Sequence, residues 1–109
     1  KEIPYIHAEG MMGGELKHGT LALIEKGTPV IALMPENDGD IISNVKEVEA
    51  RGALVISIGN SDIKINTSNE AAFALLAIIT GQLLAYYIAK GKKLPIDKPR
   101  NLAKVITVK

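Results

Sequence analysis

Thr28-Pro29-Val30-Ile31-Ala32-Leu33-Met34-Pro35 is an apolar run set between prolines. Its length and its lack of polar alternation match a parallel strand covered on both faces. After it, Glu36 to Asp40 is a turn rich in Asn, Asp and Gly, where short polar side chains can bond their own backbone. Asp38 or Asp40 can cap the helix that follows. In that helix Ile41, Ile42, Val45 and Val48 recur at helical spacing, Lys46, Glu47 and Glu49 fall outside, and Gly52 ends it. Ala53-Leu54-Val55-Ile56-Ser57-Ile58-Gly59 reads as a second buried strand, and Asp62-Ile63-Lys64-Ile65-Asn66 alternates as a short edge strand does. Strand, helix, strand with right-handed crossovers predicts an α/β fold: a doubly wound parallel sheet flanked by helices.

The longest element expected is a helix over Asn69 to Lys90, capped by Thr67, Ser68 or Asn69 and apolar almost all round. A run of about 18 apolar residues also suits a membrane span. The polar triplet Thr80-Gly81-Gln82 falls near its middle, and the neighbouring strands belong to an α/β sheet. Those features favour a helix buried between subunits or subdomains. Gly91 to Asp97 is a connector, and the chain from Leu94 to Lys109 reads as an extended tail pinned by Leu102, Val105, Ile106 and Val108.

Upstream of the first strand lies Gly13-Gly14-Glu15-Leu16-Lys17-His18-Gly19, followed by Leu21-Ala22-Leu23-Ile24. His7 to Lys17 is expected as a helix weakened at Gly10, Gly13 and Gly14, by about 1 kcal/mol each relative to Ala. So many glycines suggest close packing against another segment. A second short helix is expected from Thr20 to Lys26, ending at Gly27. Lys1 to Ile6 carries Pro4 and reads as a loop or the last turn of a helix.

Composition sets limits. At 109 residues the chain is at most one domain, and its 47% hydrophobic content is enough for a core of Ile, Leu, Val and Ala. The net charge of +1 shows no basic patch interleaved with aromatics, so nucleic acid is not an expected partner. There is no cysteine, hence no disulfide scaffold, thiolate metal site or cysteine nucleophile within this chain. No signal peptide is visible, and a reducing, cytoplasmic setting with no membrane contact is expected. The chain begins with Lys1 in mid-pattern, and it is expected to be a piece of a longer polypeptide.

His18 is the side chain in the glycine-rich stretch that readily gives and takes a proton near neutral pH. Carboxylate, imidazole and amine together can move protons on a carbonyl compound, and Glu2, His18 and Lys104 supply those groups. Taken singly, each has a plainer reading. His18 reads as a helix-end residue bonded to a carbonyl, His7 as structural, Glu2 as a solvated charge and Lys104 as a surface lysine. The two histidines are eleven positions apart, without the HExxH spacing of a zinc site, and Gly10 to Gly14 is not GxGxxG. Neither a metal nor another cofactor is expected.

Lys1-Glu2-Ile3, His7-Ala8-Glu9, Gly14-Glu15-Leu16-Lys17-His18-Gly19 and Leu21-Ala22-Leu23-Ile24 resemble the sugar isomerase (SIS) domain of the glucosamine-6-phosphate synthases. So do Gln82-Leu83-Leu84-Ala85-Tyr86 and Asp97-Lys98-Pro99-Arg100-Asn101-Leu102-Ala103-Lys104, and the tail motif is the most specific. These enzymes are the glutamine:fructose-6-phosphate amidotransferases. The resemblance implies the C-terminal part of the second SIS subdomain over residues 1–93, incomplete at its N-terminal side. Residues 94–109 would be a tail contributing to the active site. It implies an isomerising transaminase that makes glucosamine 6-phosphate from fructose 6-phosphate and glutamine-derived ammonia, as a fragment inactive alone. Glu2 would shuttle a proton between C1 and C2. His18 would help open the sugar ring across a subunit interface. Lys104 would form an imine with the open-chain carbonyl, and the main chain at Ala103 would line the sugar. The implied partners are the sugar phosphate, a second copy of the chain in a homodimer or higher oligomer, and a glutaminase domain in the parent chain.

This sequence departs from the family pattern in three places. Thr20 stands where the family usually has Pro, Met11-Met12-Gly13 replaces small and aromatic residues, and the tail reads Val105-Ile106-Thr107-Val108-Lys109 instead of Ser-Val-Thr-Val-Glu. None removes a proposed catalytic group. The family's Ser/Thr-rich phosphate loop has no counterpart here, since Ser57, Ser61, Thr67 and Ser68 are scattered. Two other readings fit the same residues: a noncatalytic SIS half used for dimerisation or sugar-phosphate sensing, and a divergent SIS isomerase or deaminase.

Overall fold

In the computed structural model the apolar run at Thr28 holds a strand, and the run at Ala53 pairs with it in parallel. The structure describes residues 1–35, 38–59 and 61–101. The chain divides into two units, Gly10–Ile79 and a second made of Lys1–Glu9 with the chain from Thr80 onward.

In the first unit, β1 (Pro29–Leu33), α1 (Gly39–Glu49), β2 (Leu54–Gly59) and β3 (Ile63–Lys64) follow in order. The sheet order is β1-β2-β3, both pairs are parallel, and Ile31 sits beside Ile56 and Ile58 beside Ile63. Asp38 is the cap chosen for α1, its Oδ1 accepting from the backbone N–H of Asp40 and Ile41 at 3.1 Å each. Val48 is fully buried on the inner face of α1, worth about 1.5–3 kcal/mol for a side chain of that kind. The helix ends where Gly52 N–H bonds to Glu49 O and Ala53 N–H to Val48 O.

Burial departs from the expectation for β1 and β2. Ala32 and Met34 are buried, whereas Ile31 and Leu33, on the alternate face of the same strand, are each 49% exposed. Successive side chains in a strand point to opposite faces, so the sheet is well covered on one side of β1 only. Ile58, deeper along β2, is buried with Ile65, Phe73 and Ala77 in one apolar cluster. The connection between β2 and β3 is closed by a reciprocal polar clasp. Asp62 Oδ2 accepts from Ser57 N–H and from Ser57 Oγ, both at 2.8 Å, and Ser57 Oγ accepts from Asp62 N–H at 3.0 Å. Chiefly the Ser57 backbone N–H, and then its hydroxyl, hold the Asp62 carboxyl below the usual carboxylate range.

The N-terminal helices differ from expectation. His7 to Met12 is not helical; a 3₁₀ helix covers Gly13–His18 and another Thr20–Leu23, in place of helices over His7 to Lys17 and Thr20 to Lys26. The glycines explain the first difference. They weaken an α-helix, and at Gly13 the missing side chain is used for contact. A Cβ there would stand 2.6 Å from Asn44 Nδ2 and 3.0 Å from Ile41 Cδ1 of α1. Tertiary packing therefore overrides the helical pattern of Ala8, Met11, Met12 and Leu16.

The long helix α2 (Glu70–Gly91) begins in the first unit and ends in the second. Asn69 caps it by accepting from Ala72 N–H at 2.9 Å. By length and composition alone α2 could cross a membrane, yet Phe73 and Ala77 are core residues of an α/β sheet. Only 11% of its most apolar stretch is buried among the described residues, with Leu75, Ile78, Leu83 and Tyr87 all exposed. It closes with Lys93 in the left-handed region (φ 56) and Leu94 N–H bonded to Ala89 O.

In the second unit the chain turns through residues 2–5. Lys92 Nζ donates to Pro4 O at 2.8 Å, and Arg100 N–H donates to the Tyr5 hydroxyl at 2.7 Å. The Arg100 guanidinium also lies 4.3 Å over the Tyr5 ring.

Candidate functional site

His18 is the last residue of the 3₁₀ helix Gly13–His18, and that helix is docked on α1. Gly13 fits against Ile41 and Asn44, and Lys17 Nζ reaches Glu47 Oε2 at 3.4 Å. Gly19 follows at φ 132, a conformation that suits glycine, and turns the chain away after the imidazole. The His18 ring is exposed, with Nδ1 3.9 Å from Glu15 Oε2. An exposed imidazole on a fixed backbone, with a carboxylate beside it, can exchange protons with a bound molecule and solvent.

Glu2 lies in the other unit, on the turn pinned by Lys92 and Arg100. It borders a cleft of about 540 Å³ lined by Lys1, Glu2, Tyr5, Ile6, His7, Arg100 and Asn101. One carboxylate thus stands among two cationic side chains and an imidazole. That combination suits a polar anionic ligand held near a base. Ala103 and Lys104, the other expected site residues, lie outside the described residues. Each unit therefore carries one of the two described site residues, Glu2 in the terminal unit and His18 in the sheet unit.

A separate cavity of about 530 Å³ opens where β1 ends and α1 and α2 begin, lined by Asp38, Asp40, Thr67, Asn69, Glu70 and Phe73 among others. This is where open α/β sheets commonly take ligands. Here Asp38 and Asn69 are spent on capping the two helices. Among the described residues no group of three or more His, Asp or Glu could hold a metal ion.

Reading the sequence missed Tyr5 as a participant and took Arg100 only as part of the tail motif. Their contact spans 95 positions, and no local spacing announces it.

Comparison with known proteins places these features in a family. The SIS domain family profile matches residues 1–90. The glutamine–fructose-6-phosphate aminotransferase [isomerizing] of Lactiplantibacillus plantarum is 49% identical over 99% of this chain, and the match covers 19% of that enzyme. The chain thus spans about a fifth of the length of the curated relatives it matches. Among solved structures, glucosamine-6-phosphate deaminase from Thermotoga maritima superposes with a TM-score of 0.80 at 32% identity, covering 96% of this chain and 33% of that one. The C-terminal domain of glucosamine-fructose-6-phosphate aminotransferase from Francisella tularensis superposes with a TM-score of 0.77 at 32% identity, covering 88% and 31%. The parallel β1-β2-β3 sheet, its flanking helices and the matched span together make the chain a member of the SIS domain family.

Proposed function

We propose that this chain is the C-terminal part of the isomerase domain of an enzyme that converts fructose 6-phosphate and glutamine-derived ammonia to glucosamine 6-phosphate. The observation that carries the reading is the 49% identity to an isomerizing aminotransferase over 99% of the chain, a span that takes in the tail motif. Residues 1–93 form part of a SIS subdomain, and residues 94–109 are a tail that reaches the sugar. The parent works as a homodimer or higher oligomer in the cytoplasm and carries a glutaminase domain.

The chemistry assigns each residue a task. His18 gives a proton to the ring oxygen of the sugar and takes one from the anomeric hydroxyl, which opens the ring. Lys104 attacks the open-chain C2 carbonyl; the C–N bond of an imine forms and the carbonyl oxygen leaves as water. Ammonia then displaces the lysine, which returns as the free amine. Glu2 removes a proton from C1 and returns it at C2 through an enolamine, so C1 is oxidised as C2 is reduced and no external oxidant is needed. The balance is one ketose phosphate and one ammonia in, one amino-sugar phosphate and one water out. The main chain at Ala103 lines the sugar.

The test is Glu2→Gln in the complete parent protein. The amide keeps the shape and loses the base, so solvent deuterium exchange at C1 is expected to fall by about 10²- to 10⁴-fold with sugar binding nearly unchanged. Exchange at the parent rate would remove Glu2 from the role. A second reading, a deaminase that takes the amino sugar back to the ketose, draws on the 0.80 superposition with the Thermotoga enzyme. A parent that interconverts glucosamine 6-phosphate with fructose 6-phosphate and free ammonia, and makes none of the amino sugar from glutamine, would favour it.

A further inference from the structure

The turn that carries Glu2 is not held by its own neighbours in sequence. Two adjacent residues of that turn, Pro4 and Tyr5, are each gripped from the far end of the chain. Lys92 donates to the Pro4 carbonyl at 2.8 Å across 88 positions, and Arg100 N–H donates to the Tyr5 hydroxyl at 2.7 Å across 95. Tyr5 is engaged twice, since the Arg100 guanidinium also stacks 4.3 Å from its ring. A hydrogen bond to the hydroxyl and a cation on the ring face use both ends of the tyrosine, which no other side chain reproduces.

The backbone supports a built feature. Tyr5 and Asn101, on the two sides of this contact, both have left-handed backbone conformations, at φ 52 and φ 58. A bulky aromatic residue is uncommon there, and such conformations persist where surrounding contacts hold them. Both residues line the cleft beside Glu2. The sequence then sets a short tether: Lys104 follows Arg100 by four residues, at most about 14 Å of extended chain.

We propose that Tyr5 is a positioning residue: by clasping Arg100 it ties the turn bearing Glu2 to the root of the tail bearing Lys104, so that base and amine address the same sugar. This rests on the assignment of Lys104 as the imine-forming amine. The clasp fixes Arg100, four positions before Lys104, beside the turn bearing Glu2, and so raises the effective concentration of the amine at the sugar. Neither Tyr5 nor the Arg100 side chain needs to touch the reacting atoms.

The experiment uses the complete parent protein, with fructose 6-phosphate as the probe and borohydride to reduce any imine to a stable amine, located by peptide mass mapping. Wild type is expected to yield the adduct on Lys104, and Lys104→Ala to yield none. Tyr5→Phe keeps the ring and loses the acceptor; Arg100→Ala keeps the backbone donor and loses the stack. Tyr5→Phe is expected to slow trapping and kcat together by about fivefold, with KM within twofold; Arg100→Ala is expected to slow both by a similar factor and to raise KM as well, since it also removes a cation from the cleft; the pair should lose more than either alone. Arg100→Lys, which retains a cation for the ring, is expected to recover part of the Arg100→Ala loss. If wild type forms no adduct on Lys104, the imine assignment fails and the proposal falls with it. If wild type forms the adduct and Tyr5→Phe traps at the wild-type rate, the clasp alone is overturned. A loss confined to KM in Tyr5→Phe would also overturn it, because the amine would then be correctly placed once sugar is bound.

Discussion

His18 and Glu2 are placed in contrasting ways. In the Gly10–Ile79 unit the imidazole ends a 3₁₀ helix seated on α1, and the seat combines close steric contact with an ion pair: Gly13 against Asn44 and Ile41, with Lys17 beside Glu47. All these partners lie within 34 positions of one another, from Gly13 to Glu47. In the terminal unit Glu2 rides on a turn held by two hydrogen bonds and one stacked cation, from residues 88 and 95 positions away. Longer loops cost more entropy to close, though only slowly more. The sharper difference is in the kind of contact: the turn is held by directional polar links, one of them part-buried, and the 3₁₀ helix by close approach to α1 and an ion pair. Glu2 thus depends on partners far away in sequence, and His18 on partners close by.

The largest effect that would test this division is complementation in the parent. His18→Ala and Glu2→Gln are each expected to be inactive. If His18 serves a neighbouring subunit's Glu2, mixing the two with subunit exchange should restore about a quarter of wild-type activity in a two-fold dimer, from the heterodimer site that receives both intact groups. A mixture that stays dead, with exchange confirmed independently, would place both residues in one chain's site and dissolve the shared-site reading.

A smaller effect is expected from the seat of His18. Gly13→Val in the parent should cost about 1–3 kcal/mol by overpacking against Asn44 and Ile41, read as a lower melting midpoint, and should reduce kcat as the 3₁₀ helix lifts from α1. An unchanged midpoint would show that the seat is softer than its distances suggest. The Tyr5→Phe variant should differ in melting only, lowering kcat with little change in the midpoint.

The smallest effect is at the local polar clasp between β2 and β3, which contrasts with the long-range clasp at Tyr5. The Asp62 carboxyl is held below its ordinary value by Ser57. The group is therefore more acidic folded than unfolded, and its contribution is present above the unfolded value, about 3.9. It is lost as pH falls through the lower folded value. Wild type should lose melting temperature on that acid limb, and Asp62→Asn should start slightly lower at neutral pH and show a flatter limb. Identical pH profiles for the two proteins would mean that Ser57 bonds the amide as well as the carboxylate.

Much of the fold was legible in the residues because it rests on local periodicity. The apolar run at Thr28, the repeat of Ile41, Ile42, Val45 and Val48, and the run from Ala53 to Gly59 each specify an element by their own spacing, and a strand–helix–strand order leaves few topologies. Asp38 as a cap, Gly52 as a stop and Asn69 before α2 were likewise readable, since capping is decided within a turn of the helix. The α2 pattern was readable as a helix, but its lack of a polar face gave no direction for its packing. The region from His7 to Lys17 misled because its helical residues compete with glycines whose use is a contact with α1, and no spacing within the segment encodes that contact. Likewise the strand runs read as buried on both faces, while the structure leaves Ile31 and Leu33 half exposed, because burial depends on what other elements cover.

Residue types and motif order in the sequence nominate Glu2, His18 and Lys104 for the chemistry: their groups can move protons or attack a carbonyl, and the family resemblance singles them out from other residues of the same types. The tertiary structure alone decided how two of them are supported, His18 on the face of α1 and Glu2 on a turn gripped by Lys92 and Arg100. A side chain's chemistry is a property of the residue itself. Its orientation depends on contacts between segments tens of residues apart, and only the folded backbone brings those segments together.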